Sequence, residues 1–224
     1  MQSIENKIII YDDVCPMCQA YTAGFVRFGL LQARSGFAEA SPEMLQKLDL
    51  NRARHEIPLL DTQTGETRYG LDALFYLLSA RFPWMQPIFR LRLVRVLLYG
   101  LYQIITYNRR IIAGSRAPKH GFDCAPDANP FFQGLYISIA LTGAGALLGS
   151  YAQGQELFWL TFAALQIGAL LFTVVSRQKF IWLGHWATVL LVVAMLLRMF
   201  PEAIEIQLFI LILSVWMLVK RWHL

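Results

Sequence analysis

The sequence predicts a small α/β domain followed by an all-α domain of four membrane-spanning helices. Three observations predict this. The apolar run Lys7 to Tyr11 ends just before the pair in Cys15-Pro16-Met17-Cys18, short strand and helix patterns alternate up to residue 80, and apolar residues are in excess after residue 130. Hydrophobic residues make up 56% of the 224 residues, and the mean hydropathy of +0.45 lies above ordinary soluble composition.

Lys7-Ile8-Ile9-Ile10-Tyr11 reads as the first strand, and the acidic pair Asp12-Asp13 leads from it to the thiols. Cys15 and Cys18 are three apart, so they share one side of a first helical turn and can close a small disulfide ring. Unpaired N–H groups of that turn favour a thiolate on Cys15, and Pro16 fits an early position that needs no N–H. Cys15 is therefore expected to attack and Cys18 to resolve. Asp12 and Asp13 oppose the thiolate by their charge, or relay a proton when Cys18 attacks. Zinc would require two more ligands. Cys124 and the histidines at 55, 120, 185 and 223 form no second close pair, so redox chemistry is preferred to a metal site and no cofactor is implied.

Tyr21, Phe25, Phe28 and Leu31 continue a helical apolar face. Gly36 to Ala40 is expected to be a short strand, and Ser41-Pro42-Glu43 a capped helix start. Ile57-Pro58-Leu59-Leu60 is a strand, residues 62–66 a turn, Thr67 to Tyr69 a further strand and Leu71 to Ala80 a helix. The order βαβαββα, with thiols after the first strand, is that of a thioredoxin-like domain. Pro58 is either a simple strand-edge proline or a cis proline that faces the thiols and holds a backbone edge open for a thiol or disulfide partner.

The run Tyr11-Asp12-Asp13-Val14-Cys15-Pro16-Met17-Cys18 resembles the signature of the DCC family of thiol-disulfide oxidoreductases, also called DUF393. Asp13 stands where members usually carry glycine. The resemblance continues through Ile57-Pro58, Gly65, Tyr69 to Ala73, Tyr102 and Tyr107-Asn108-Arg109, covering residues 6 to 112. It implies a thioredoxin-like fold, dithiol chemistry and a cis Pro58, and it leaves the substrate open.

The C-terminal half reads as four spans, Phe131 to Gly149, Leu157 to Val175, Phe180 to Leu197 and Ala203 to Val219, the last containing Glu205. Gly145 and Gly149 offer a small-residue step for helix packing. His185 and Gln166 are polar groups within spans, His185 suiting cofactor or proton handling or an interfacial place. Basic residues precede the first span, follow the second and form the tail. The positive-inside rule therefore predicts an integral protein, as in a bacterial inner membrane, with N-terminal domain and C-terminus cytoplasmic. The first span is expected to serve as an internal anchor, because the N-terminus carries no signal-peptide pattern.

The sequence thus divides into 1–85 for the CxxC domain, 86–129 for a basic amphipathic connector and 130–224 for the spans. From Arg81 to Lys119 there are eight bases and no acid. Arg92, Arg95, Tyr99, Tyr102, Thr106 and Arg109 form a polar stripe, and Leu91, Val94, Leu98, Leu101 and Ile105 an apolar one. This pattern suits membrane lipid as a partner, in preference to nucleic acid. Cys124 reads as a free cysteine or as an exchange partner of the CxxC pair. The expected function is a membrane-tethered thiol-disulfide oxidoreductase, with a non-enzymatic redox sensor or adaptor as the alternative.

Overall fold

A computed structural model describes residues 4–116, 122–149, 179–200 and 204–222, with isolated positions between 156 and 171. The chain divides into two compact units, Met1–Asp127 and Ala128–Leu224.

In the first unit, β1 (Lys7–Tyr11) leads into α1 (Pro16–Arg27), which returns the chain to β2 (Ala33–Gly36). After α2 (Pro42–Gln46) and α3 (Leu50–Ala53), β3 (Pro58–Asp61) and β4 (Thr67–Tyr69) form a hairpin. There follow α4 (Gly70–Arg81), a short 3₁₀ turn, α5 (Gln86–Arg90) and the long α6 (Arg92–Ala113). The sheet order is β2-β1-β3-β4, with β1 parallel to β2 and the other pairs antiparallel. This β–α topology is thioredoxin-like.

Strand alternation sorts the core into two layers. Ile9 and Leu59, paired across β1 and β3, pack with Leu31, Ala73 and Leu77 on one face. Ile10 and Leu60 point the other way, toward Phe37, Leu48, Ala53, Tyr69 and Cys124. Ile9, Ile10, Leu59 and Leu60 are at most 1% exposed, each contributing about 1.5–3 kcal/mol of burial free energy. The hairpin is secured at Asp61, whose carboxylate accepts from Gln63 N (2.9 Å) and Thr64 N (3.1 Å) and pairs with Lys7. Gly65 supplies the positive φ of 77° that its turn requires.

Three expectations are corrected. The apolar letters of 36–40 predict a strand, yet β2 lies at Ala33–Gly36. Gly36 is the last residue in register with β1, opposite Tyr11. The Asp13 carboxylate fills the space where a Gly36 side chain would be and accepts from Ala38 N at 2.8 Å, so Phe37 to Ala40 turn away and Phe37 enters the core. Helix α1 ends at Arg27, leaving Phe28 exposed, while Leu31 is buried beyond it. Pro58 is trans, since no cis peptide bond occurs among the described residues. It begins β3 opposite Tyr69, where the missing proline N–H is tolerated.

In the second unit, α7 (Pro130–Gly149) and α8 (Lys179–Met199) pack together, and α9 (Ile204–Trp222) packs on α8. Two of these helices, Pro130–Gly149 and Phe180–Met199, are long and apolar enough to cross a membrane, which is consistent with an integral membrane protein. Helix α9 carries Glu205 in its first turn and Lys220 and Arg221 in its last. The second expected span, apart from isolated positions, and Gln166 lie outside the described residues. Close packing of α7 uses Ala140 and Ala144, both 0% exposed, while Gly145 and Gly149 are exposed. Tyr136 and Thr188 hydroxyls meet at 2.6 Å, and His185 Nδ1 lies 2.9 Å from Arg221 Nη1.

Candidate functional site

The site is built where β1 hands the chain to α1. Asp12, 6% exposed, accepts from Val14 N at 3.1 Å through one carboxylate oxygen and faces Arg109 at 3.3 Å through the other. The Asp12 carbonyl accepts from Cys15 N at 3.3 Å. These contacts shape a tight turn that leaves Cys15 as the N-cap of α1. Its sulfur takes the place usually held by a serine or aspartate oxygen and accepts from Cys18 N at 3.3 Å. Pro16 occupies the first turn as expected, and no acid enters that turn.

Cys18 lies one turn farther in, and its carbonyl accepts from Thr22 Oγ1 at 2.7 Å. Both thiols are buried, Cys15 1% and Cys18 3% exposed, and all three cysteines of the chain are free. The hydrogen bond from the Cys18 thiol, more than any other cause, lowers the Cys15 pKa to about 7. Burial and Asp12 oppose that shift, while the Cys18 N–H and Arg109 support it. Cys18 is pushed well above the ordinary thiol range by its bond to Cys15 and by burial. The pair therefore has one thiolate-forming sulfur and one that holds its proton.

Asp12 and Asp13 occupy different environments. Asp13 turns to Ala38 N, and its own carbonyl accepts from Gln19 Nε2. Asp12 is the carboxylate whose charge acts on both thiols of the pair. Pro58 is buried at the start of β3. The N–H of Ile57 before it is taken by the Tyr102 hydroxyl at 3.2 Å.

Sequence reasoning did not assign Arg109 to the site. It projects from α6, pairs with Asp12, donates to the Cys124 carbonyl, and acts electrostatically on Cys15, Cys18 and Cys124. Tyr102 and Thr106, on the same stripe, line a cavity with Cys18, Tyr21 and Arg109. The stripe was visible at its spacing of three and four residues. Its C-terminal half, Tyr102, Thr106 and Arg109, turns inward to the domain while Arg92, Arg95 and Tyr99 stay exposed, and only tertiary packing reveals that. Arg95 of the stripe likewise pairs with Asp72, at 2.7 Å.

Cys124 belongs to a segment fastened over the domain by Arg110 to Asp123 and by Arg54 to the Ala125 carbonyl (3.3 Å) and Asp127 (3.0 Å). Burial drives its thiol pKa far upward, so it is a poor nucleophile in this state. Among the described residues no group of three or more His, Cys, Asp or Glu side chains is placed to hold a metal ion.

Comparison with family models, with curated proteins and with solved structures gives no match to this chain.

Proposed function

We propose that the chain is a membrane-tethered thiol-disulfide oxidoreductase of the DCC family, working through Cys15 and Cys18. The observation that carries this reading is the capped thiol. Cys15 sits at a helix N-terminus with N–H and S–H donors on its sulfur, and a proton-holding cysteine lies one turn away.

In the reducing direction, the Cys15 thiolate attacks one sulfur of a partner disulfide. That S–S bond breaks, the second partner sulfur leaves as thiolate, and a mixed disulfide remains on Cys15. Cys18 then gives up its proton, with Asp12 as the acceptor, and attacks the Cys15 sulfur. The mixed bond breaks, the first partner sulfur leaves, and the Cys15–Cys18 disulfide holds the oxidised state. Arg109 balances the thiolate and Asp12 together. The two apolar helices support membrane attachment, and basic-residue placement supports four spans with both termini in the cytoplasm. The outward leucines of α6 are assigned to the lipid surface.

The test is partner trapping in the full chain. Cys18→Ser is expected to accumulate a mixed disulfide through Cys15, and Cys15→Ser to accumulate none. Equal residual turnover in the two variants contradicts the mechanism. The burial of both sulfurs favours a second reading, a redox sensor. In that case a disulfide forms on oxidation without any turnover of partner.

A further inference from the structure

We propose that the cavity beside Cys18 binds a compact, neutral, lipid-soluble quinone which the dithiol reduces, a reading that rests on the redox role proposed for the pair. Both sulfurs are closed to bulk solvent, yet Cys18 forms part of the wall of a cavity of about 220 Å³. The cavity lies within the first unit, bounded by α1, α4 and α6 over Ile9 of β1. A molecule inside it reaches a redox sulfur without the domain opening. A dry cavity of roughly 150 Å³ accommodates benzene, so this one has room for a substituted ring.

The wall chemistry narrows the occupant. Phe25, Leu74 and Ile105 make much of the lining apolar, which disfavours a charged peptide or glutathione. Polar groups stand with Cys18: the Tyr102 hydroxyl and Arg109, whose Nε is buried without a hydrogen-bond partner among the described residues. The charge of Arg109 is already matched by buried Asp12. An added carboxylate would leave the site negative, whereas a carbonyl oxygen accepts a hydrogen bond and adds no charge. Ile105 also ends an exposed row, Leu93, Leu97, Leu101 and Ile105, so the rim favours a molecule that partitions from an apolar phase.

The reaction balances. Two S–H bonds break and one S–S bond forms between Cys15 and Cys18. The two electrons and two protons released convert both quinone carbonyls to hydroxyls, giving the hydroquinone.

The reduced full-length protein, freed of reductant and held in phosphatidylcholine–phosphatidylglycerol nanodiscs, is mixed with decyl-ubiquinone. Quinol is read by ultraviolet absorbance and thiol loss by alkylation and mass measurement. The expected result is one quinol per oxidised pair. Leu74→Trp and Ile105→Trp, on different helices so that one folding failure does not decide the test, should lower the ratio of quinone to glutathione-disulfide reduction about tenfold. An unchanged ratio in both folded variants overturns the cavity assignment. Protein that reduces glutathione disulfide but not the quinone overturns this proposal alone. Protein inert to both overturns this proposal, and if diamide also fails to form the Cys15–Cys18 disulfide it overturns the dithiol reading as well.

Discussion

Cys15 and Cys18 have identical side chains and opposite acidities because one accepts the hydrogen bonds that the other supplies. The thiolate absorbance of the reduced protein should titrate with a midpoint of about 7. Cys18→Ala should move that midpoint up, since the lost S–H donor is the largest cause of the depression. A folded-state value below the ordinary 9.0 gives a stabilisation fully present above 9.0 and lost as pH falls through about 7. The melting temperature of the reduced protein should fall over that window more than that of the Cys15→Ala variant. Arg109→Met should raise the Cys15 midpoint too. It should also cost about 3–5 kcal/mol in denaturant titration, because Asp12 is left buried without its partner. A small loss with an unmoved midpoint would remove Arg109 from the site. The CxxC spacing was enough to mark both cysteines. Arg109, 91 positions beyond Cys18, has no spacing relation to them that a sequence pattern can express.

Helix α6 is amphipathic, and the polar side of its C-terminal half is turned inward. Gln103, Thr106 and Asn108 are buried, whereas Leu93, Val96, Leu97 and Leu101 are exposed. Tyr102 fixes this orientation through Ile57 N, so Tyr102→Phe should cost about 1–3 kcal/mol by orphaning a half-buried N–H. Faster hydrogen exchange at Ile57 would be its specific signature. The exposed leucines support the proposed contact of α6 with lipid. A nitrobenzoxadiazole probe at Leu97→Cys, in the full chain in anionic nanodiscs, should be quenched by lipid-borne rather than aqueous quenchers. The reverse result would take α6 off the bilayer. Helical periodicity revealed an amphipathic helix, with Leu91, Leu101 and Ile105 of the expected apolar stripe exposed and Val94 and Leu98 half-buried, but a period of three to four residues is the same whichever face meets the protein. Similarly, β2 is the polar edge segment Ala33–Gly36, which pairs through backbone groups that composition does not register.

At the scale of the whole molecule, a thioredoxin-like domain precedes helices apolar enough to enter a bilayer. Glu39 is exposed on the domain, and a Glu39→Cys variant should resist impermeant maleimide applied to intact cells and react once they are lysed. Labelling of intact cells would reverse the topology drawn from basic-residue placement. The sequence by itself determined the α/β order, the dithiol at the end of the first strand and the apolar helices Pro130–Gly149 and Phe180–Met199. Each follows from local periodicity, capping or length, which neighbouring residues decide among themselves. Only the tertiary structure decided that Asp12 rather than Asp13 acts electrostatically on the thiols, that Pro58 is trans, and that Tyr102, Thr106 and Arg109 of α6 line the cavity beside Cys18. Those outcomes depend on contacts between segments far apart in the chain, where burial and charge matching select one orientation among several that the local pattern permits equally.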